Sequence, residues 1–295
     1  MDVLQTLING TALGAVYALV AVGLALIFGV MRLINFAHGE LITAGGYTLA
    51  LASAFPTVAA IALAVVVCVA LAWLMERVAF RRLRNAAPAT TLVATFAVAF
   101  TLQAIWLIAF GPQGESADVL TSLNRTAISG ELSLRWITIV MLVTGAILLG
   151  GTILLLNRTT IGLQMRAAAA DFRAARLLGV RADRVISVAF VIAGVMAAAV
   201  AVLLTVPRPL VTPTFGLEVV ILTLVGVVVG GMDRLWSATC GGFAIGFAIA
   251  VLGDVLPSSE RVFLPSAVFL LVIVVLVLRP GGLFAPRRPA TVERV

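Results

Sequence analysis

The sequence has no lysine, a single histidine and two cysteines, and charged residues make up only 11% of it. Each shortage excludes a chemistry. Without lysine there is no P-loop, whose lysine sits on the nucleotide phosphates, and no Schiff-base site for retinal or pyridoxal phosphate. His38 alone cannot supply a two-histidine zinc site, and no Gly-x-Ser-x-Gly elbow occurs. The chain is therefore expected not to be an enzyme and to carry no cofactor of its own. An intramembrane enzyme would need a nucleophile paired with a base, and the one histidine falls at a span end. Cys68 and Cys240 lie inside apolar runs, where packing is the better expectation than a disulfide or a metal.

What is present is apolar. Hydrophobic residues make up 62% and the mean hydropathy is +1.18, against roughly half apolar and a quarter charged in soluble domains. A helical crossing of the hydrocarbon takes about 20 apolar residues, and such runs recur along the chain without alternation. The expected fold is all-α, a polytopic transmembrane helical bundle forming one domain over residues 1–295. At the N-terminus, Met1 to Gln5 has no basic stretch and the first apolar run continues past Phe28. That reads as a retained span rather than a removable signal peptide.

The basic residues are all arginine, and they cluster. Arg77, Arg81, Arg82 and Arg84 form one group. Arg158, Arg166, Arg173, Arg176, Arg181 and Arg184 form a second, and Arg279, Arg287, Arg288 and Arg294 a third. Short arginine-rich loops stay cytoplasmic. This makes 157–184 a cytoplasmic loop, 279–295 a cytoplasmic tail and 111–135 an outer loop, with Arg125, Arg135, Arg208 and Arg261 facing out. Nucleic acid is a poor reading of this charge, because the arginines lie between spans. The expected spans are Leu4–Val30, Leu41–Phe55, Val58–Met75, Thr90–Phe110, Trp136–Leu156, Val185–Val206, Leu217–Gly231, Leu235–Leu252 and Val262–Leu278. Leu41–Phe55 is short and carries Gly45-Gly46, which reads as a broken or re-entrant piece, so the range is about 8–10 crossings.

Three interruptions carry most of the information. In Gly29 to Gly39, Arg32, Asn35, His38 and Glu40 sit close to the membrane edge, where ionisable groups are costly unless they face water, a cavity or a partner. Asn35 and His38 share a helix face. One reading is a discontinuous helix exposing polar groups along a solute path; the other is an interfacial turn satisfying its own backbone. The second interruption, Ile161 to Arg181, is rich in helix formers and ends at Gly179. It reads as one short amphipathic helix with Arg166 and Arg173 on nearly one face. Docking on a cytoplasmic partner suits its small residues better than lying on anionic lipid. The third, Gly226 to Gly242, matches the first only at Gly29, Met31 and Ala37 against Gly230, Met232 and Ala238, which is the level of chance. The Gly-x-x-x-Gly spacings at Gly10/Gly14, Gly226/Gly230 and Gly242/Gly246 indicate close helix packing.

Tyr17-Ala-Leu, Gly23-Leu, Ile27-Phe-Gly-Val and Ile34-Asn-Phe-Ala-His-Gly39 resemble the N-terminal signature of one family. It comprises the integral-membrane permease subunits of ABC importers for branched-chain amino acids. Gly162 through Arg166-Ala, Asp171 and Ala175-Arg-Leu-Leu-Gly-Val180 resembles that family's coupling segment, and Leu278-Arg-Pro-Gly-Gly-Leu-Phe284 its ending. The resemblance covers nearly the whole chain and, through Asn-Phe-Ala-His-Gly, points to the first of the family's two permease types. It implies a cytoplasmic coupling helix, in which Arg166, Asp171, Arg173 and Arg176 dock and Leu178 and Gly179 shape the helix end. Asn35 and His38, with Tyr17 and Glu40, are then expected to line or support the translocation pathway. The implied partners are a second, related permease subunit, cytoplasmic ATP-binding subunits, an extracytoplasmic solute-binding protein and the lipid of a bacterial inner membrane. Gly-Gly-Met-Asp-Arg-Leu-Trp departs from the family's small-residue turn, so Asp233 and Arg234 inherit no role. The alternatives are an ABC permease for urea, an amide or another small polar solute, and a stand-alone secondary transporter. The latter would need ionisable groups at mid-membrane, which the spans nearly lack.

Overall fold

Inside hydrocarbon a backbone amide finds no water, so an apolar chain satisfies its amides within helices. The computed structural model describes residues 3–83, 86–128, 133–232 and 234–279, and eleven α-helices occur among them. They are α1 (Val3–Met31), α2 (His38–Leu51), α3 (Thr57–Val78), α4 (Pro88–Phe110), α5 (Trp136–Arg158) and α6 (Thr160–Ala170). Then follow α7 (Phe172–Leu177), α8 (Ala182–Thr205), α9 (Phe215–Gly230), α10 (Leu235–Val255) and α11 (Leu264–Leu278). Seven are long and apolar enough to cross a membrane: α1, α3, α4, α5, α8, α10, and α11 with the 3-10 turn before it. The chain is a multi-pass, all-α membrane protein.

The two remaining apolar helices are shorter. At 1.5 Å per residue the 14 residues of α2 and the 16 of α9 reach only ~21 and ~24 Å, less than a hydrocarbon core of about 30 Å. The shortness of α2 matches the expected broken span at 41–55, but Gly45-Gly46 is not the break. The helix runs straight through both glycines, which instead admit neighbours: a Cβ on Gly45 would lie 2.7 Å from Ala201, and one on Gly46 would lie 2.9 Å from Val211. The break lies earlier, in the non-helical residues 32–37.

α1 is the central post, buried from Val16 to Ile27. α10 packs along it through glycine. A Cβ on Gly14 would meet the Phe243 carbonyl at 2.9 Å, one on Gly242 the Tyr17 carbonyl at 2.9 Å, and one on Gly246 the Leu13 carbonyl at 2.6 Å. Backbone cannot swing aside as a side chain can, so these positions admit nothing larger. Gly226 and Gly230 accept Gly241 of α10 in the same way. The Gly-x-x-x-Gly pairs therefore serve close packing, as their spacing suggested. α3, α4, α5 and α11 lie outside and turn Val66, Ile108, Ile147 and Val277 outward, as lipid-facing helices do.

The bundle has two unlike ends. At one, Arg32 Nη2 donates to the Ala169 carbonyl (3.1 Å) and Arg81 pairs with Asp183 (2.6 Å), gathering the ends of α1, α3, α6 and α8. At the other, four short strands tie the loops down: β1 (Glu115–Ser116), β2 (Thr126–Ile128), β3 (Leu134–Arg135) and β4 (Leu210–Val211). β1 pairs with β4 and β2 with β3, both antiparallel. Thr6 also donates to Asp254 there (2.8 Å), joining α1 to α10. The expected tail beyond Arg279, and Arg84, Glu131 and Asp233, lie outside the described residues.

Candidate functional site

The first candidate lies at mid-height. After α1 ends, Arg32 adopts a left-handed φ of 53°, a conformation that costs a non-glycine residue roughly 1 kcal/mol. The chain then climbs back unwound beside α4. Thr95 Oγ1 donates to the Ile34 carbonyl (3.2 Å) and Phe36 stacks on Phe96 (centroids 4.0 Å). α2 begins only at His38, whose ring lies against Gly23: a Cβ there would sit 2.8 Å from Cε1 and Nε2. Glu40, fully buried, accepts from Gln103 Nε2 (2.9 Å) and Trp106 Nε1 (3.1 Å). Thr95 and Gln103 both lie well inside α4, which places the start of α2 deep in the bundle.

α9 starts at the same level. Gly39 and Gly216 touch through backbone, and the Gly216 amide donates to Thr43 Oγ1 (3.0 Å). Two half-length helices thus meet N-terminus beside N-terminus, where exposed amides concentrate positive potential. Asn35 and His38 complete the junction. Both side chains are buried, and their polar atoms have no hydrogen-bond partner among the described residues. An unmade bond of this kind costs about 1–3 kcal/mol per group, so the junction is held together by packing and by the Glu40 and Thr43 bonds.

Three of the cavities among the described residues lie around this frame. One, of about 1010 Å³, opens at the end away from the arginine clusters and is lined by Tyr17, Arg208, Glu218 and Asp254 among others. Another, of about 690 Å³, opens toward the arginine end between α1, α5, α6 and α10, with Arg166 at its edge. The third, of about 1330 Å³, carries Arg32, Arg81, Arg173, Arg176, Arg181 and Arg184 on its walls. Of the four expected pathway residues Tyr17 lines a cavity, whereas Asn35, His38 and Glu40 line none of these three.

The coupling segment differs from the expected single helix. Asp171 is extended (φ −149°, ψ 106°), and its Oδ1 accepts from the amides of Arg173 (2.9 Å) and Ala174 (3.0 Å). An aspartate that caps the next helix competes with continuing the last one. The segment therefore breaks into α6 and α7, and Arg166 and Arg173, expected on one face, border different cavities. Asp171 stays exposed while its Oδ1 caps α7. At the far end Gly179 takes φ 87°, the Val180 amide reaches the Ala175 carbonyl and the Gly179 amide reaches Arg176 (both 3.0 Å). That is a glycine-terminated helix end. Met165, Ala168 and Ala175 turn into the protein, while Leu177 and Leu178 are 89% and 86% exposed.

Sequence reasoning did not single out Gly216, Glu218 or Asp254. The available signal was an acidic residue in the first turn of one apolar helix and the last turn of another.

Known proteins resemble this chain along its length. The model of the family described as branched-chain amino acid transport system / permease component matches residues 6–278. The high-affinity branched-chain amino acid transport system permease protein BraD of Pseudomonas aeruginosa is 31% identical, over 99% of this chain and 98% of that protein. The corresponding permease protein LivH of Escherichia coli K12 is 30% identical over 99% and 97%. Among solved structures, PsaBC from Streptococcus pneumoniae in complex with Fab shares the fold. Its TM-score is 0.52 at 15% identity, over 95% of this chain and 91% of that one.

Proposed function

Because the chain belongs to the family of branched-chain amino acid transport permease components, we propose that it is the membrane-spanning subunit of an ATP-binding-cassette importer. It carries branched-chain amino acids inward by alternating access, and a separate subunit hydrolyses ATP, since a chain without lysine has no P-loop. The arginine-rich end faces the cytoplasm of a bacterial cell, across the inner membrane, and places the C-terminus there. The opposite end receives solute from an extracytoplasmic binding protein, and a second, related permease subunit completes the pathway.

The observation that carries this reading is the shape of α6–α7. An arginine-rich helix lying on lipid would spread a continuous apolar face into the bilayer. Here much of the apolar face is used against the bundle through Met165, Ala168 and Ala175, leaving Leu163 on α6 and the Leu177–Leu178 tip of α7 exposed. Arg173, Arg176 and Arg181 flank that tip. A small apolar point ringed by cations suits a groove with an acidic rim on a protein partner, the ATPase. Arg166, on the other helix, borders the smaller cavity.

Movement of this segment passes directly into the membrane. α5 continues into α6 through Thr159 alone, whose hydroxyl caps α6 at the Gly162 amide (3.0 Å). Arg32 joins α6 to the end of α1, and Arg81 with Asp183 joins the end of α3 to α8. ATP binding shifts the equilibrium only by its differential affinity for the two states. Tyr17 lines the outer end of the path. Asn35, His38 and Glu40 support it by fixing where α2 begins.

Changing Leu177→Ser and Leu178→Ser together tests the docking reading. Both side chains are exposed, so the melting temperature should be unchanged. Co-purification of the ATPase should fall about tenfold, the loss expected from roughly 1.4 kcal/mol of apolar contact. Undiminished co-purification with normal uptake would refute the docking role.

A further inference from the structure

The space inside the largest of the three cavities, about 1330 Å³, is not used by the transport reading. It lies where spans begin and end. Val30 and Met31 close α1, Arg81 and Ala86 belong to the link between α3 and α4, and Arg184 opens α8. That is the depth of the bilayer headgroups. α3 and α4 turn Val66 and Ile108 outward, so the cavity adjoins lipid on their side.

Among the described residues six arginines line it against one acid, Asp183, which already pairs with Arg81 (2.6 Å). Two of these cations stand where local physics disfavours them. Arg32 holds a left-handed φ of 53° that glycine would adopt freely, and its Nη2 is fixed on the Ala169 carbonyl (3.1 Å). Arg184 sits in the first turn of α8, an end that is already positive and that no side chain caps. An anion in the cavity offsets the crowding and the helix dipole together.

The rest of the lining is apolar, from Val30, Met31, Phe172, Val180 and Ile186. A free phosphate needs only the cations; cations beside an apolar wall suit an amphiphile at the membrane edge. The guanidinium fork meets two phosphate oxygens at once, and guanidinium is the only basic side chain besides His38 in the sequence. Leu177 and Leu178 do not line this cavity. The docking tip of α7 and the cavity are therefore separate surfaces, with Arg173 and Arg176 on the rim between them.

We infer that this cavity binds the phosphate of an anionic phospholipid, held by Arg32, Arg81 and Arg184, with the glycerol and upper acyl carbons against Val30, Met31 and Ile186. A lipid so placed ties together the ends of α1, α3 and α8. Its binding depends on headgroup charge and not on the solute carried.

Native mass spectrometry of the chain released from detergent tests this by counting bound lipid. Phosphatidylglycerol should be retained in clear preference to phosphatidylcholine. An arginine beside an anionic headgroup contributes about a factor of five, so Arg32→Gln with Arg184→Gln should weaken phosphatidylglycerol binding about twenty-fivefold. If the double variant does not fold, Arg184→Gln alone, at an exposed side chain, should weaken it about fivefold. Arg77→Gln with Arg158→Gln removes the same charge from two exposed arginines that line none of the three cavities. Binding by that control should be nearly unchanged. The melting temperature in detergent should rise with added phosphatidylglycerol and not with inorganic phosphate.

Equal phosphatidylglycerol binding by the cavity variants and the control overturns the site. An equal rise in melting temperature with inorganic phosphate overturns the lipid as its occupant. Loss of the bound phosphatidylglycerol when the ATPase is assembled onto the chain also overturns it, and gives the cavity to an acidic segment of that subunit. None of these results alters the transport reading, which is decided by uptake.

Discussion

Replacing Gly216 with alanine should remove most folded protein from the membrane. The Cβ would enter the Gly39 backbone, with the Gly39 carbonyl carbon at 2.7 Å and Thr43 Oγ1 at 2.8 Å. α2 cannot retreat, because Glu40 holds it to α4 through Gln103 and Trp106. Alanine favours a helix over glycine by up to ~1 kcal/mol. Against that stand an overpacking cost of about 1–3 kcal/mol and loss of the Gly216 bond to Thr43, about 1 kcal/mol. The net loss of roughly 1–3 kcal/mol is a large share of a marginal stability. Gly150→Ala is the control: nothing lies within 4 Å of its Cβ, and it should be neutral or slightly stabilising. Comparing membrane yield and melting temperature in detergent checks both. Equal behaviour of the two variants would mean that the α2–α9 junction is not close-packed as described.

The second large effect is expected from Arg173→Glu combined with Arg176→Glu. Both arginines are exposed on α7, beside a cavity that also carries Arg32, Arg81, Arg181 and Arg184. Two positive charges become two negative ones at the rim of the apolar tip. Like charges brought together across an interface cost several kcal/mol, and each 1.4 kcal/mol is a factor of ten. ATPase co-purification and ATP-driven uptake should therefore fall about a hundredfold. Melting of the isolated chain should change by less than about 0.5 kcal/mol, since surface substitutions rarely do more. A pull-down and an uptake assay on the same preparation measure both. Normal values in both would show that α7 does not carry the docking.

The spans were legible because a hydrocarbon-crossing helix must be a long apolar run, and such runs are local. Leu4–Val30 and Trp136–Leu156 differ from α1 and α5 by no more than two residues at either end. The half-helices were harder. The short length of 41–55 showed that something was broken, yet the glycines within it suggested the wrong place. Leu217–Gly231 was already as short as the 16 residues of α9; what no local pattern records is the contact of Gly216 with Gly39, 177 positions away. The break at Asp171 had a local signal, a good N-cap residue inside an alanine-rich stretch, which helix propensity outweighed in the reading. Arg166, Arg173 and Arg176 were recognisable as a cationic surface. Their division between two cavities follows from that single cap and was not.

The central claim is that this chain moves a branched-chain amino acid only when a separate ATPase drives it. Radiolabelled leucine uptake into proteoliposomes tests it most directly, with the chain reconstituted alone, with its partner permease, and with ATPase and binding protein added. The account predicts accumulation only in the complete assembly with ATP on the ATPase side, and none driven by a sodium or proton gradient. Gradient-driven uptake by the chain alone, or ATP-driven uptake of urea without uptake of leucine, would contradict it.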